Sequence, residues 1–334
     1  MISETAEDDE PSRWELVEMN KIHEQQSNIR ALKCIVLSNR LISHVNSVPS
    51  DISFKYCSEL DLSNALIGRW SKLIEILSLF PVLQTLHLNR NRLEPLEKVD
   101  LSTLVVSSPI IQLSLSNCFL SEQTVCKLVT KVFTNLEEIY IAFNQLTSYS
   151  PLGDCFKLQK VDLQGNKICE FAQISKLSTL PRLEFLNLSN CGLKKIEFSS
   201  DDTKIGYSKL NTLFIQHNPA LDKWSFIHEL ARLNALKKLV IRGVLLPGSR
   251  GMDSREMIVA KMAHLVDLDR CDILLWQDAL LNCSSKLFDF DPTDISMVEL
   301  RRKNYPAEQL KRTRDNRLGQ FNLENGDGIA FVTD

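Results

Sequence analysis

A short pattern, Leu-x-x-Leu-x-Leu-x-x-Asn with aliphatic residues at the Leu positions, recurs along most of this 334-residue chain and restricts its fold more than any other feature. The clearest copy runs Leu83, Leu86, Leu88, Asn91, with Leu93 beyond it. Three further copies keep the Asn: Leu136/Ile139/Ile141/Asn144, Leu158/Val161/Leu163/Asn166 and Leu210/Leu213/Ile215/Asn218. Two place Cys there, Ile110/Leu113/Leu115/Cys118 and Leu183/Leu186/Leu188/Cys191, and degenerate copies start at Leu32, Cys57 and Leu236. Successive starts are separated by 25, 26, 27, 26, 22, 25, 27 and 26 residues. All eight intervals fall in the window of roughly 20–29 residues in which one strand and its return path stack on the next.

The predicted fold is therefore α/β: a leucine-rich-repeat solenoid, or horseshoe, of about nine repeats with a C-terminal cap. Each Leu-x-Leu segment is a short strand whose alternate side chains point into the solenoid and out of its concave face. The Asn at the turn leaving the strand can satisfy backbone groups of the neighbouring coil. A Cys thiol does part of that work, which is the expected role of Cys118 and Cys191; Ala65 and Val244 cannot, so their coils should be looser at that corner. Between strands, Ser121–Phe133 places Val125, Leu128, Val129 and Val132 on one helical face, and Ser71–Phe80 and Ser225–Leu233 read alike.

A solenoid needs its ends closed. Asp253 and Glu256 resemble a capping box opening a short helix with Met257, Ile258, Lys261 and Met262, followed by a strand over Leu265–Leu268. The expected organisation is an acidic, flexible segment over 1–28, a repeat domain over 29–290 whose cap begins near 250, and a tail over 291–334. Trp14 and Val17 offer a way to tuck a helix against the first coil. The tail is basic first and then rich in Gly, Asn and Asp.

Composition adds exclusions. With 44% hydrophobic and 24% charged residues the chain is an ordinary globular one, and a net charge of −3 gives no overall basic field for nucleic acid. No apolar run approaches the ~18–20 residues of a membrane span, and the acidic N-terminus lacks the features of a signal peptide. Nine scattered cysteines without a Cys-x-x-Cys pair read as reduced thiols of a cytoplasmic protein, which leaves the sequons at Asn187 and Asn282 without meaning. No cofactor and no metal site are expected, since zinc spacing, phosphate-cradling loops and nucleophile motifs are all missing. The chain does not read as an enzyme.

Binding is the remaining class of function. The outward positions of most repeats are small or polar, but Tyr140, Phe185 and Phe214 put aromatics where water is expected. Beside Glu138, Lys160 and Asp162, and with His87 as a further contact residue, they have the composition of a protein–protein hot spot. A tail folded over them, or simple exposure, explains the same residues. Arg301, Arg302, Lys303, Lys311, Arg312, Arg314 and Arg317 form a basic run in the tail, either a solvated segment or a contact to an acidic partner.

The stretch Asp61–Ile67, then Trp70–Leu73, Phe80–Leu83 and Leu86–Leu93, resembles the leucine-rich region of tubulin folding cofactor E and cofactor E-like proteins. Leu180–Leu188, Ile196–Phe198, Trp224–Leu230, Met257–Met262 and Val298–Arg302 are similar to the same family, so the resemblance covers about residues 30–305. Cofactor E carries an N-terminal CAP-Gly domain for which residues 1–30 leave no room, which points to the E-like branch. Both branches end in a ubiquitin-like domain longer than the segment beyond Arg302, so the expectation is a repeat domain alone or a short isoform.

The resemblance implies tubulin as partner, α-tubulin or the αβ heterodimer, and a role in folding, assembling or dissociating it, and so in microtubule organisation. It implies a monomer in the cytoplasm or at the microtubule cytoskeleton. The alternative left open by repeat grammar is a regulatory scaffold that docks on an enzyme such as a phosphatase.

Overall fold

The computed structural model describes residues 28, 31–45, 52–150, 155–198, 205–246, 254–262 and 264–273. It divides into two compact units, one ending at Cys118 and the other beginning at Phe119. In the first unit, β1 (Cys34–Val36), β2 (Glu59–Asp61), β3 (Thr85–His87) and β4 (Gln112–Ser114) pair in parallel in chain order. In the second, β5 (Glu138–Tyr140), β6 (Lys160–Asp162), β7 (Phe185–Asn187), β8 (Thr212–Phe214), β9 (Lys238–Val240) and β10 (Asp267–Leu268) do the same. A final antiparallel strand, β11 (Cys271–Asp272), closes that series.

Each repeat strand is three residues long, and its central aliphatic residue is the one that matters for packing. Leu60, Leu86 and Leu113 stand in register in the first unit, and Ile139, Val161, Leu186, Leu213 and Leu239 in the second. All eight are fully buried. Stacking identical positions makes one continuous apolar column per unit, which no single repeat could bury alone. This is the leucine-rich-repeat fold.

The strands stop because the chain turns left-handed just beyond them. The residue before the Asn position has positive φ in all nine copies: Asn39, Asn64, Arg90, Asn117, Phe143, Gly165, Asn190, His217 and Gly243. Asn and Gly tolerate that conformation, whereas Phe, Arg and His adopt it at a cost of about 1–2 kcal/mol. The degenerate copies at 32, 57 and 236 share the turn, so they are true coils.

The Asn residues act as expected. Asn166 donates to the carbonyls of Ile141 and Leu163 and accepts from the N–H groups of Asn144 and Leu146. Asn218 repeats this with Leu188, Ile215, Cys191 and Leu193. Cys118 and Cys191 substitute in part: each thiol donates at 3.2 Å to the carbonyl an Asn amide would reach, Leu88 and Leu163 respectively. Opposite Ala65, the buried Oδ1 of Asn91 has no partner among the described residues. The corner at Val244 is served differently, by Asp269, whose Oδ1 accepts from the N–H groups of Ile241 and Arg242 while Arg255 pairs with its Oδ2 at 3.2 Å.

Return paths carry helices α1 (Trp70–Leu77), α2 (Glu122–Lys127) and α3 (Ser225–Ala231), each on an expected segment. Ser121 caps α2 through the Thr124 N–H, and a π turn over Leu128–Val132 continues it, so the apolar face stays buried although the backbone changes pitch. The Trp70 indole, fully buried, donates to the Glu94 carbonyl at 2.7 Å. Leu96–Lys98, Leu101–Thr103 and Phe171–Thr179 form 3-10 turns instead, the last burying Phe171, Ile174 and Leu177 at three-residue spacing. Helix α4 (Ser254–Lys261) leads into the cap and buries Met257 and Ile258, with Met262 just beyond it; Asp253 lies outside the described residues. The expected strand over 265–268 is confined to β10. Among the described residues, no helix is long and apolar enough to cross a membrane.

Candidate functional site

In a three-residue strand with a buried centre, the two flanking side chains face away from the core. Six of the seven face residues expected from the sequence therefore share one surface, the open face of the second unit's sheet. The register places Glu138, Lys160, Phe185 and Thr212 in one row, and Tyr140, Asp162, Asn187 and Phe214 in the next. His87 belongs to the first unit, where its Nε2 lies 3.6 Å from a Glu59 carboxylate oxygen on β2.

At the β5–β6 end of this face the polar groups satisfy one another. Glu138 accepts from the Tyr140 hydroxyl and from Lys160 Nζ, both at 2.7 Å. Burial, the hydrogen bond to Glu138 and the charges of Glu138 and Asp162 push the Tyr140 phenol well above its ordinary range. Tyr140 is thus a neutral donor already committed, and its ring is what remains for contact. Burial raises the Asp162 carboxyl pKa, against the opposing pull of hydrogen bonds from the Gln164 N–H and the Asn187 side chain.

At the β7–β8 end the face becomes aromatic. Phe185 and Phe214 pack edge to face, with ring centroids 5.1 Å apart and planes at 70°, a geometry worth about 0.5–1.5 kcal/mol beyond area burial. The Arg270 guanidinium carbon lies 5.8 Å from the Phe214 centroid. Two expectations need correction. Tyr140, Phe185 and Phe214 are half-buried rather than fully exposed, because neighbouring rows and Arg270 cover part of each ring. The small or polar outward positions are not all open either: Ser114, Ala142, Asn187 and Ser189 are buried, as is Val240 at the corresponding place on β9.

Arg270 was not legible in the repeat pattern: it sits on the cap turn between β10 and β11, outside the periodicity. The basic run Arg301–Arg317 lies outside the described residues. Among those residues, no group of three or more His, Cys, Asp or Glu side chains is placed to hold a metal ion.

The comparisons speak to ancestry. The chain is 31% identical over 263 residues to tubulin-specific chaperone E of Mus musculus, an overlap of 76% of this chain and 48% of the relative. The same protein of Danio rerio is 31% identical over 227 residues, covering 66% and 42%, and that of Homo sapiens 27% over 270 residues, covering 78% and 50%. These likenesses support a cofactor E-like family for the repeat region. The chain spans about half the length of the curated relatives it matches. No family model matches it. Similar solved structures include internalin C2 of Listeria monocytogenes, at TM-score 0.40 and 19% identity over 64% of this chain and 80% of that one. The mouse RP105/MD-1 complex is similar at TM-score 0.43 and 20% identity, over 72% of this chain and 46% of that one. At that distance neither bears on what this surface binds.

Proposed function

We propose that this chain is a non-enzymatic, cytoplasmic tubulin-binding protein that acts in tubulin folding, assembly or dissociation by stoichiometric capture. One observation carries the reading: the kinship of its repeats, over three quarters of the chain, with proteins named tubulin-specific chaperone E. The half-buried aromatic face gives that kinship a physical outlet. A rigid sheet offering Tyr140, Phe185 and Phe214 among mutually satisfied polar groups has the anatomy of a hot spot, in which a few aromatic anchors supply most of the affinity.

In this proposal the partner is α-tubulin, alone or in the heterodimer, the chain acts as a monomer, and the basic run Arg301–Arg317 adds an electrostatic contact to tubulin's acidic segment. Association is then salt-sensitive. The test is co-elution of the purified chain with αβ-tubulin by size-exclusion chromatography at low and physiological salt. A shared peak is the expected outcome, and one that loses a tubulin subunit would indicate dismantling. Replacing Tyr140 and Phe214 together by Ala should weaken binding about tenfold or more. Separate elution at both salts would refute the function, and unchanged affinity in a folded double variant would remove this face from it.

A further inference from the structure

The first coil is built like its neighbours but is not buried like them. Leu32, Ile35, Leu37 and Ile42 hold the four inward positions that Cys57, Leu60, Leu62 and Ile67 hold in the second coil and Leu83, Leu86, Leu88 and Leu93 in the third. In those two coils every one of these residues is buried, whereas all four in the first coil are only half-buried. The last coil of the second unit, by contrast, is closed: β10 and β11 follow β9, and Leu268 and Ile273 are each 2% exposed.

The edge of the sheet is open at the same place. The Leu37 and Asn39 N–H groups donate to the carbonyls of Asp61 and Ser63, and the Lys33 carbonyl accepts from Ser58 and Glu59, so these residues turn their backbone toward the second coil. Cys34, Val36 and Ser38 turn theirs the opposite way, where no strand lies among the described residues. Natural edges are blunted by a charge, a proline or a bulge. Cys34–Ser38 carries neither charge nor proline, and Val36 is 61% exposed. An uncharged edge beside an incompletely buried apolar row pairs with another chain unless something covers it.

The sequence just ahead of the coil carries a suitable cover. Residues 1–27 lie outside the described residues, but their chemistry is uneven: an acidic run ends at Glu10, and Trp14, Leu16, Val17, Met19 and Ile22 then place five large apolar side chains in nine positions. Ser12 and Glu15 have the capping-box spacing that opens a helix. We propose that residues 12–27 dock on the first coil as its N-terminal cap, with Trp14 and Val17 over Leu32 and Ile35, and that this cap keeps the β1 edge from pairing with a second copy of the chain. The segment joins the coil at Asn28, whose carbonyl accepts the Ala31 N–H in a turn. A tethered cover forfeits no translational freedom on docking, which a partner's strand or a second copy must. The inference goes beyond the tubulin reading and does not depend on it.

The test uses the full chain, with hydrogen exchange over residues 32–38 read by mass spectrometry and particle mass read by light scattering across a range of concentrations. Wild type should protect 32–38 at every concentration and stay monomeric. At low concentration W14D/V17D, checked for folding by circular dichroism, should exchange there about tenfold faster, with the peptide over 83–91 unchanged. It should associate as concentration rises, and adding Val36→Lys should keep it monomeric, because a lysine blunts the edge. W14F/V17I should retain wild-type protection. In an otherwise wild-type chain, a photoreactive benzoylphenylalanine in place of Lys33 should cross-link to residues 12–27 of its own chain, a readout that does not rely on the folding of the double variant.

Unchanged protection in folded W14D/V17D, or no cross-link to 12–27, would overturn the proposal. Fast exchange over 32–38 in the wild type would overturn it by showing the coil uncovered. Wild-type protection that appears only as concentration rises, or a cross-link between two chains, would overturn it by giving the edge to a second copy. W14D/V17D that exchanges fast yet stays monomeric at the highest concentration would overturn the guarding of the edge.

Discussion

The left-handed corner shared by all nine coils makes a quantitative prediction at Gly165. Its φ is +68°, and a Cβ built there would lie 2.3 Å from two carbons of the Phe143 ring, the residue at the same corner of the preceding coil. Ordinary carbon contacts are about 3.5–4.0 Å, so the ring must move. Gly165→Ala therefore carries two penalties. The first is the left-handed backbone of a residue with a Cβ, about 1 kcal/mol. The second is displacement of Phe143, which is 45% exposed and can swing only outward. Losing the contact of the covered half, ~100 Å² at ~25 cal/mol/Å², sets an upper limit near 2.5 kcal/mol for that term.

Gly192 separates the two. Its φ is +76°, but a Cβ there meets nothing within 4 Å. Urea unfolding should give a loss of about 1 kcal/mol for Gly192→Ala and about 2–3 kcal/mol for Gly165→Ala. In a Phe143→Asn background, Gly165→Ala should fall to the Gly192 value, a coupling of about 1–2 kcal/mol. Coupling below about 0.5 kcal/mol, the ordinary error of additivity, would refute the argument that the ring dictates the glycine.

Three further outcomes are expected from the same structure. The buried thiols of Cys118 and Cys191, with pKa values pushed up to about 11 and about 12 mainly by burial, should resist iodoacetamide at pH 8 in the folded chain. Cys34 is exposed and should label before either of them by mass spectrometry; equal rates would contradict the corner roles of the other two. Asp269→Ala removes the acceptor of one buried and one part-buried N–H group and the partner of Arg255, and should cost about 2–4 kcal/mol, with faster hydrogen exchange at Ile241 and Arg242; protection like the wild type would refute the cap's role. Asp162 has a raised folded pKa, so folding favours its protonated form. Its contribution to stability is greatest near and below the ordinary carboxylate value of ~3.9 and declines as pH rises through the raised one. The stability of Asp162→Asn relative to wild type should improve between pH 4 and pH 7, and a constant difference would refute the assignment.

What was legible in the sequence is what periodicity enforces. Leu86, Leu186 and Leu213 had to be buried because a strand of Leu-x-Leu alternates its faces, and Asn166 had to be inside because its amide completes the backbone bonding of two coils. The left-handed corner was less visible. Asn and Gly occupy six of its nine positions, but Arg90, Phe143 and His217 conceal the rule by adopting a conformation their side chains disfavour. The π turn after α2 was hidden for the converse reason: Leu128, Val129 and Val132 keep a helical spacing whether the backbone closes α or wider rings.

The candidate face illustrates a deeper limit. Repeat grammar ranks each side chain by position within its own coil, so it can say that Phe214 points outward. It cannot say that Arg270, from a turn after a different strand, crosses β9 to meet it. Nor can it say that Asp269 turns its carboxylate inward to the N–H groups of Ile241 and Arg242. The cap therefore does more than close the solenoid: Asp269 supplies the acceptor for the Ile241 and Arg242 N–H groups, and the next residue of the same turn, Arg270, reaches back over β9 to the Phe214 ring of the candidate face.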